Sequence, residues 1–292
     1  MSSTADVTAG VKIILLHLAG DPSGDPGAND RFTSTASLAR RFGARLVGLS
    51  IEAPYYPLGV EGSGALSDVY ARIAAESEAE SRARVKAFHE LAKSAGLDVE
   101  GRAAVAPGGG AGSIFALHGR YADLCVVGAP NGEDSAISQR VLEGALFDTG
   151  RPVILLPEKP HDFSADGLSR IMIAWDGRKE AARAVHDALP FLLTAEEVEI
   201  CVVDGGLSGG DYGQEPGADC ARWLAAHGVS PTVQQVSRTF GVAKALLDRS
   251  FAMGAQMIVM GGYGHSRLSE AIFGGVTESL LSEAKAPLFM AH

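Results

Sequence analysis

The fold is decided by an apolar run near the C-terminus, Ala255-Gln-Met-Ile-Val-Met-Gly261, which resembles Asp123-Leu-Cys-Val-Val-Gly128. Further apolar segments match in pairs, and all the pairs occur in the same order along the chain. These pairs are 12–17 with 170–174, 45–51 with 197–203, and 151–156 with 286–290. The partners lie roughly 130–160 residues apart, far more than the unit of a solenoid, so the repeat predicts two copies of one domain.

The segment between the two copies, Glu158–Gly167, is polar and rich in turn-forming residues, as linkers are. We therefore predict one domain over residues 1–160 and a second over residues 161–292. The chain of 292 residues has the length expected of two such domains.

Within each half, short apolar runs alternate with helical stretches. The predicted strands are 11–18, 45–51, 99–105, 123–128 and 152–156, then 169–175, 197–203, 231–236, 256–260 and 287–291. The predicted helices include 66–95, 178–193, 214–227, 240–253 and 268–283. The apolar runs are continuous, which is typical of parallel strands buried on both faces. The pattern predicts an α/β protein with two doubly wound, Rossmann-like domains, each with a five-stranded, mainly parallel sheet.

Composition excludes several classes of function. Hydrophobic residues make up 46% of the chain and the net charge is −10, with no long basic run, so a nucleic-acid partner is not expected. No apolar run approaches the roughly 18 residues of a membrane span, and residues 1–10 read as a polar tail, not a signal peptide. Cys125, Cys201 and Cys220 are too scattered for a disulfide framework or a zinc site. We expect a cytoplasmic protein with buried thiols.

The segment after the fourth strand of the second half carries the clearest site motif, Gly-x2-Gly-x9-Gly-Gly, over Gly261–Gly275. In open parallel sheets, ligands bind beyond the carboxyl ends of the strands. Glycines there allow close backbone approach, and free amides can hold an anion, to which Arg267 would add a full positive charge. The alternative is a glycine-rich turn that serves only chain reversal. The third glycine group favours the anion site.

Asp176 follows the first strand of the second half. Its carboxylate could accept a hydrogen bond from a ribose hydroxyl, or it could simply cap the next helix. The residues alone do not separate these two interpretations. The glycine-rich segment Pro107–Gly112 in the first half lacks basic neighbours, so a flexible hinge is favoured there over a phosphate loop.

With Asp176 and the glycine motif, the second half resembles a universal stress protein domain. In that family's ATP-binding members, the aspartate and a hydrophobic residue ending the second strand hold the nucleoside. The glycine motif and a Ser or Thr hold the phosphates. The resemblance assigns the nucleoside contacts to Asp176 and Val202. It assigns the phosphate contacts to Gly261, Gly264 and Gly274.

Gly275 stands where the family usually has Ser or Thr, so the resemblance implies weaker binding through the amide alone. The adjacent Val276 and Thr277 belong to the predicted site, and the Thr277 hydroxyl could compensate. His265 could contact a phosphate or cap a turn. The implied ligand is ATP or another adenine nucleotide. No residues have metal-ligand spacing, so any Mg²⁺ would accompany the nucleotide.

The first half departs from the motif at each position. Ala19 stands where the second half has Asp176, Asn131 replaces the second glycine after Pro130, and the third glycine position falls near Gln139. This half is therefore predicted to keep the fold without the anion site.

The resemblance covers both halves, so the chain is identified as a tandem universal stress protein. Family members commonly pair through their last strands, which implies an intramolecular pseudo-dimer with a pseudo-twofold axis; a further homodimer is left open. The favoured function is nucleotide binding with a regulatory role in stress, without fast catalysis. One alternative is a scaffold with vestigial sites. The other, weaker, is an ATP pyrophosphatase, suggested only by Ser208-Gly-Gly-Asp211.

Overall fold

The computed structural model describes residues 10–20, 26–54, 64–130, 135–164, 166–204, 217–262 and 275–292. They form two compact units. The N-terminal unit is Lys12–Arg151 with Glu158–Pro160, and the C-terminal unit contains Pro152–Pro157 and His161–His292. The predicted boundary near residue 160 and the twofold relation stay predictions.

The N-terminal unit is a parallel sheet with strand order β3-β2-β1-β4. Its elements are β1 (Ile13–Leu18), α1 (Pro26–Phe42), β2 (Arg45–Glu52), α2 (Gly64–Ser94), β3 (Val99–Val105), α3 (Ala111–Gly119), β4 (Leu124–Gly128) and α4 (Ser135–Asp148). A short 3-10 turn, Pro107–Gly109, precedes α3.

The C-terminal unit has strand order β5-β10-β9-β6-β7-β8, in which only the β5–β10 pair is antiparallel. Its strands are β5 (Val153–Leu156), β6 (Arg170–Ala174), β7 (Glu197–Val203), β8 (Pro231–Val236), β9 (Met257–Gly261) and β10 (Leu288–Ala291). Its helices are α5 (Lys179–Asp187), α6 (Leu189–Leu192), α7 (Ala218–Ala226), α8 (Val242–Met253) and α9 (Gly275–Glu283). The pairing of the fifth strands expected from the resemblance is thus present within this unit.

The predicted α/β class with a mainly parallel sheet is confirmed. Every predicted strand occurs within two residues of its predicted bounds. The single helix predicted over 178–193 is instead two helices, α5 and α6. The break falls at Ala188, just before Pro190, whose ring cannot continue the hydrogen-bond ladder of a helix interior. None of the described helices is both long and apolar enough to cross a membrane.

The same anchor fixes the start of the central strand in both units. The Asp123 carboxylate accepts hydrogen bonds from the amides of Lys12 and Ile13, at 2.8 and 2.9 Å. In the second half, the Gln256 side-chain oxygen accepts from Ser169 and Arg170, at 2.8 and 2.9 Å. Each anchor lies directly before the strand that pairs with the anchored one. The two halves therefore share this hydrogen-bonding arrangement as well as the pattern of apolar runs.

Burial explains the cysteines and one glycine-rich segment. All three cysteines are free and buried, and burial raises the pKa of each thiol to about 12, so they are structural. The hinge expected at Pro107–Gly112 stays a prediction; this segment forms a 3-10 turn that leads directly into α3. A Cβ on Gly112 would collide with the Arg140 carbonyl, and one on Gly144 with the Gly112 carbonyl. These glycines let α3 and α4 touch backbone to backbone.

Candidate functional site

The predicted nucleoside residues lie at the carboxyl ends of adjacent parallel strands in the C-terminal unit. Strand β6 lies between β7 and β9, and Ala174 pairs with both Cys201 and Met260. One residue further along, β7 reaches Val202 and β9 reaches Gly261; β6 reaches Asp176 two residues beyond Ala174. The topology therefore brings the predicted contacts to one edge of one sheet, where such sheets bind ligands.

Asp176 lies in an open turn that leads from β6 into α5. Its Oδ1 atom accepts a hydrogen bond from the Arg178 amide at 3.0 Å, and Arg178 Nε lies 3.8 Å from Oδ2. Gly177 has a φ of 73°, which makes this turn possible without strain. The side chain of Asp176 remains 48% exposed. The carboxylate therefore stabilises its own turn and still has accepting capacity toward a ligand.

Val202 is buried under α7. It is 3% exposed, and a Cβ on Gly217, which precedes α7, would lie 3.2 Å from its Cγ2 atom. Val202 is thus mainly a packing residue at this edge. A nucleotide base bound there would contact the apolar end of strand β7.

Gly261 has a packing role that the motif alone does not reveal. A Cβ there would lie 2.6 Å from the Ala181 amide nitrogen and 2.9 Å from the Glu180 carbonyl carbon. The element that closely approaches Gly261 is therefore the first turn of α5. Gly261 is not among the glycines with positive φ, so the reason for a glycine here is the close approach and not the backbone conformation. Beyond it, Gly262 donates to the Ala291 carbonyl at 2.8 Å, and the His292 ring lies 2.9 Å from the Gly262 carbonyl.

The far end of the motif begins α9. Gly275 is exposed, and a Cβ there would meet no atom of the described residues within 4 Å. Val276 is 39% exposed, whereas Thr277 is buried at 8%. The predicted residues Gly264, His265, Arg267 and Gly274 lie outside the described residues, as does the loop at Ser208. Among the described residues, no group of three or more His, Cys, Asp or Glu side chains could hold a metal ion.

An arginine fills the corresponding edge of the N-terminal unit. Arg31 reaches from α1 across the ends of β1 and β4, and its guanidinium donates a hydrogen bond to the Ala19 carbonyl. A Cβ on Gly128, the last residue of β4, would lie 2.5 Å from Arg31 Cδ and 2.9 Å from Nη1. The chain's own cation thus lies between the strand ends where the second half has Asp176 and Gly261.

A second arginine fixes the same strand end. Arg84 of α2 donates from Nε to the Gly20 carbonyl at 2.7 Å and forms an ion pair with the largely buried Glu52. A cavity of only about 40 Å³ remains beside it, lined by side chains that include Phe32 and Phe88. Ligand pockets are typically about 300–1,000 Å³, so this cavity is too small for a nucleotide.

Sequence reasoning missed Arg31, Arg178 and His292. Arg178 lies two residues after Asp176, and His292 directly follows strand β10. These positions beside strand ends could have identified both residues. Arg31 had no such signal, because its role depends on the path of a long side chain from a helix to another element.

The sheet order defines a doubly wound α/β protein in which Asp176, Val202 and Gly261 lie at one sheet edge of the second half. A comparison with protein families matches residues 167–292 to the universal stress protein family. These residues are therefore a universal stress protein domain, and the resemblance seen in the sequence is confirmed there.

Solved structures are similar along nearly the whole chain. A universal stress protein from Archaeoglobus fulgidus DSM 4304 is 19% identical, with a TM-score of 0.64 and 95% of each chain covered. A functionally unknown protein from Pseudomonas aeruginosa PAO1 is 15% identical, with a TM-score of 0.53 and coverage of 97% of this chain and 93% of that chain. At these identities the likeness shows the shared fold. A search of curated proteins finds no match.

Proposed function

We propose that this chain is a tandem universal stress protein that binds one adenine nucleotide, ATP in the first instance, in its C-terminal half. The observation that carries the proposal is the meeting of Asp176, Val202 and Gly261 at one sheet edge, within the segment that matches the family. The accompanying role is regulatory, in a cytoplasmic stress response, and not fast catalysis. Mg²⁺ would enter with the nucleotide.

A single site per chain follows from the contrast between the two halves. In the first half, Ala19 offers no carboxylate, and Arg31 fills the space over Gly128. In the second half, the Asp176 carboxylate is half exposed and Arg178 supplies a cation beside it. Among the described residues, a ligand would therefore meet an exposed carboxylate at this edge in the C-terminal unit and an arginine at the corresponding edge of the N-terminal unit.

Chromatography of nucleotide extracted from freshly purified protein tests the proposal directly. We expect an adenine nucleotide at a ratio near one per chain. Calorimetric titration with ATP then gives the affinity and stoichiometry after the bound nucleotide is removed. A scaffold with vestigial sites would yield no nucleotide and no heat of binding.

Asp176→Ala is the decisive variant. Loss of one charge-assisted hydrogen bond costs about 1.5–3 kcal/mol, so ATP affinity should fall roughly 10- to 100-fold in calorimetry. The control is Asp98→Ala, which removes an exposed carboxylate before β3, in the other half. Thermal melting of both variants separates a lost ligand contact from a lost turn. Equal ATP affinity in Asp176→Ala and the parent would contradict the assignment.

A further inference from the structure

The outer strand β8 of the C-terminal unit is an open sheet edge. Within the described residues it pairs only with β7, and its four middle residues are all exposed. They are Thr232, Val233, Gln234 and Gln235, none of them charged. Proteins usually protect such an edge with charges, bulges or a covering element, because it can pair with another strand.

The equivalent edge of the N-terminal unit is protected. Strand β3 carries Glu100 and Arg102, which form an ion pair at 2.7 Å. The long helix α2 packs over it, and a Cβ on Gly101 would meet the Val85 and His89 side chains at 2.5 and 2.7 Å. In the C-terminal unit the corresponding helix α7 has only 9 residues, against 31 in α2. Among the described residues, β8 therefore has no comparable cover.

The hydrogen-bond pattern shows which groups of β8 point outward. The Val236 carbonyl accepts from the Asp204 amide, so Val236 directs its backbone groups toward β7. In a parallel ladder, residues alternate in this respect, and Val233 and Gln235 therefore direct theirs away from the sheet. The Gln235 carbonyl accepts a hydrogen bond from its neighbour's side chain, Gln234 Nε2, at 2.8 Å.

We infer that β8 is a homodimer edge, which pairs antiparallel with β8 of a second copy of this chain. A twofold axis at Gln234 places Val233 opposite the second copy's Gln235, and these two residues exchange both backbone hydrogen bonds. Every side chain brought together in this register is uncharged, so the strands fit each other without charge conflict. An uncharged contact matters for a chain of net charge −10, because two copies of the chain repel each other overall.

The last strand, β10, is already paired on both sides within the molecule. Strand β10 has β9 on one side and β5 on the other. A second copy therefore cannot add to β10. The other outer strand of this unit, β5, is buried along its whole length, so β8 is the outer strand that the C-terminal unit exposes. The contact is one short strand pair, so we expect reversible association that strengthens as salt screens the net charge.

Light scattering across a hundredfold range of concentration should show the mass rising from one chain toward two. Gln235→Pro should hold the protein at the mass of one chain, because it removes an outward amide and none of those bonded to β7. Val233→Lys should do the same by placing a charge on the edge. The control Ser113→Lys adds the same charge at an exposed position of α3 and should leave the association unchanged.

Cross-linking tests the register itself. In the proposed pair, the two copies of residue 234 are directly opposite, at a Cα separation of about 4.5 Å, which a disulfide can span. Oxidised Gln234→Cys should therefore form a covalent dimer, and Gln235→Cys, one residue along the same strand, should form at least tenfold less. A chain that stays monomeric at every concentration would overturn the inference. So would association that both edge variants leave unchanged, or equal cross-linking of the two cysteine variants.

Discussion

The same strand position ends in glycine in both halves, for different physical reasons. Gly261 ends β9 against the backbone of α5, whereas Gly128 ends β4 against the side chain of Arg31. In the first case the glycine lets two main chains approach, and in the second it makes room for a guanidinium. In one half the repeated strand end packs against a helix backbone beside the proposed site, and in the other it is filled by the chain's own arginine.

Alanine substitutions at Gly261 and Gly128 should distinguish a backbone contact from a side-chain contact. We expect the largest effect on stability from Gly261→Ala. Gly261→Ala forces a methyl group against the α5 backbone and should lower the free energy of unfolding by about 2–3 kcal/mol, as overpacking does. Gly128→Ala meets a flexible side chain that can move, so its cost should be about 1 kcal/mol, mainly one hydrogen bond. Urea denaturation measures both.

The control for this pair is Gly275→Ala, since a Cβ there meets none of the described atoms within 4 Å. Its free energy of unfolding should match that of the parent. Equal losses in Gly261→Ala and Gly128→Ala would mean that the α5 contact is not rigid.

Arg31→Ala tests whether the filled edge is closed only by its arginine. We expect the stoichiometry of ATP binding to remain one per chain, because Ala19 still offers no carboxylate. The N-terminal unit should lose about 1–2 kcal/mol of stability, because the Ala19 carbonyl, in a residue that is buried, loses its donor. Calorimetric titration and thermal melting give the two numbers. A second equivalent of bound ATP would show that Arg31 alone excludes the ligand.

Sequence reasoning worked where apolar runs decide the structure and failed where a side chain or a helix length decides it. Strands such as Glu197–Val203 are continuous apolar runs, so their positions could be predicted. The packing role of Gly112 could not be predicted, because a glycine that permits helix contact looks the same in sequence as one that permits motion. The reach of Arg31 and the exposure of β8 depend on elements distant in sequence.

Gly275→Ser introduces the hydroxyl that the resemblance leads us to expect at this position. It should strengthen ATP binding in the C-terminal half. A new neutral hydrogen bond contributes about 0.5–1.5 kcal/mol, so ATP affinity should rise roughly 2- to 10-fold in calorimetry. Gly275→Ala supplies the Cβ without the hydroxyl and should leave affinity near that of the parent. A gain in the alanine variant equal to that in the serine variant would point to helix propensity at the start of α9 instead of a hydroxyl contact.

The smallest expected effect concerns His118, whose ring contacts one of the charged side chains of β3. Arg102 of β3 donates to His118 Nδ1 at 2.9 Å, so that nitrogen carries no proton. Burial, followed by the nearby positive charge of Arg102, lowers the pKa of His118 below its usual value. The unfolded chain, with an ordinary histidine pKa of about 6.5, therefore takes up the proton first as pH falls.

The stability contributed by neutral His118 is thus complete above about pH 6.5 and is lost as pH falls from there toward the folded pKa. His118→Gln keeps an acceptor for Arg102 but cannot titrate, so its loss of stability between pH 7.5 and 5.5 should be smaller than the parent's. Urea denaturation at the two pH values measures the difference, and an NMR titration gives the pKa directly. Arg102→Gln should raise that pKa by removing the adjacent charge. If His118→Gln lost as much stability as the parent over this range, His118 would not be the group whose protonation destabilises the fold.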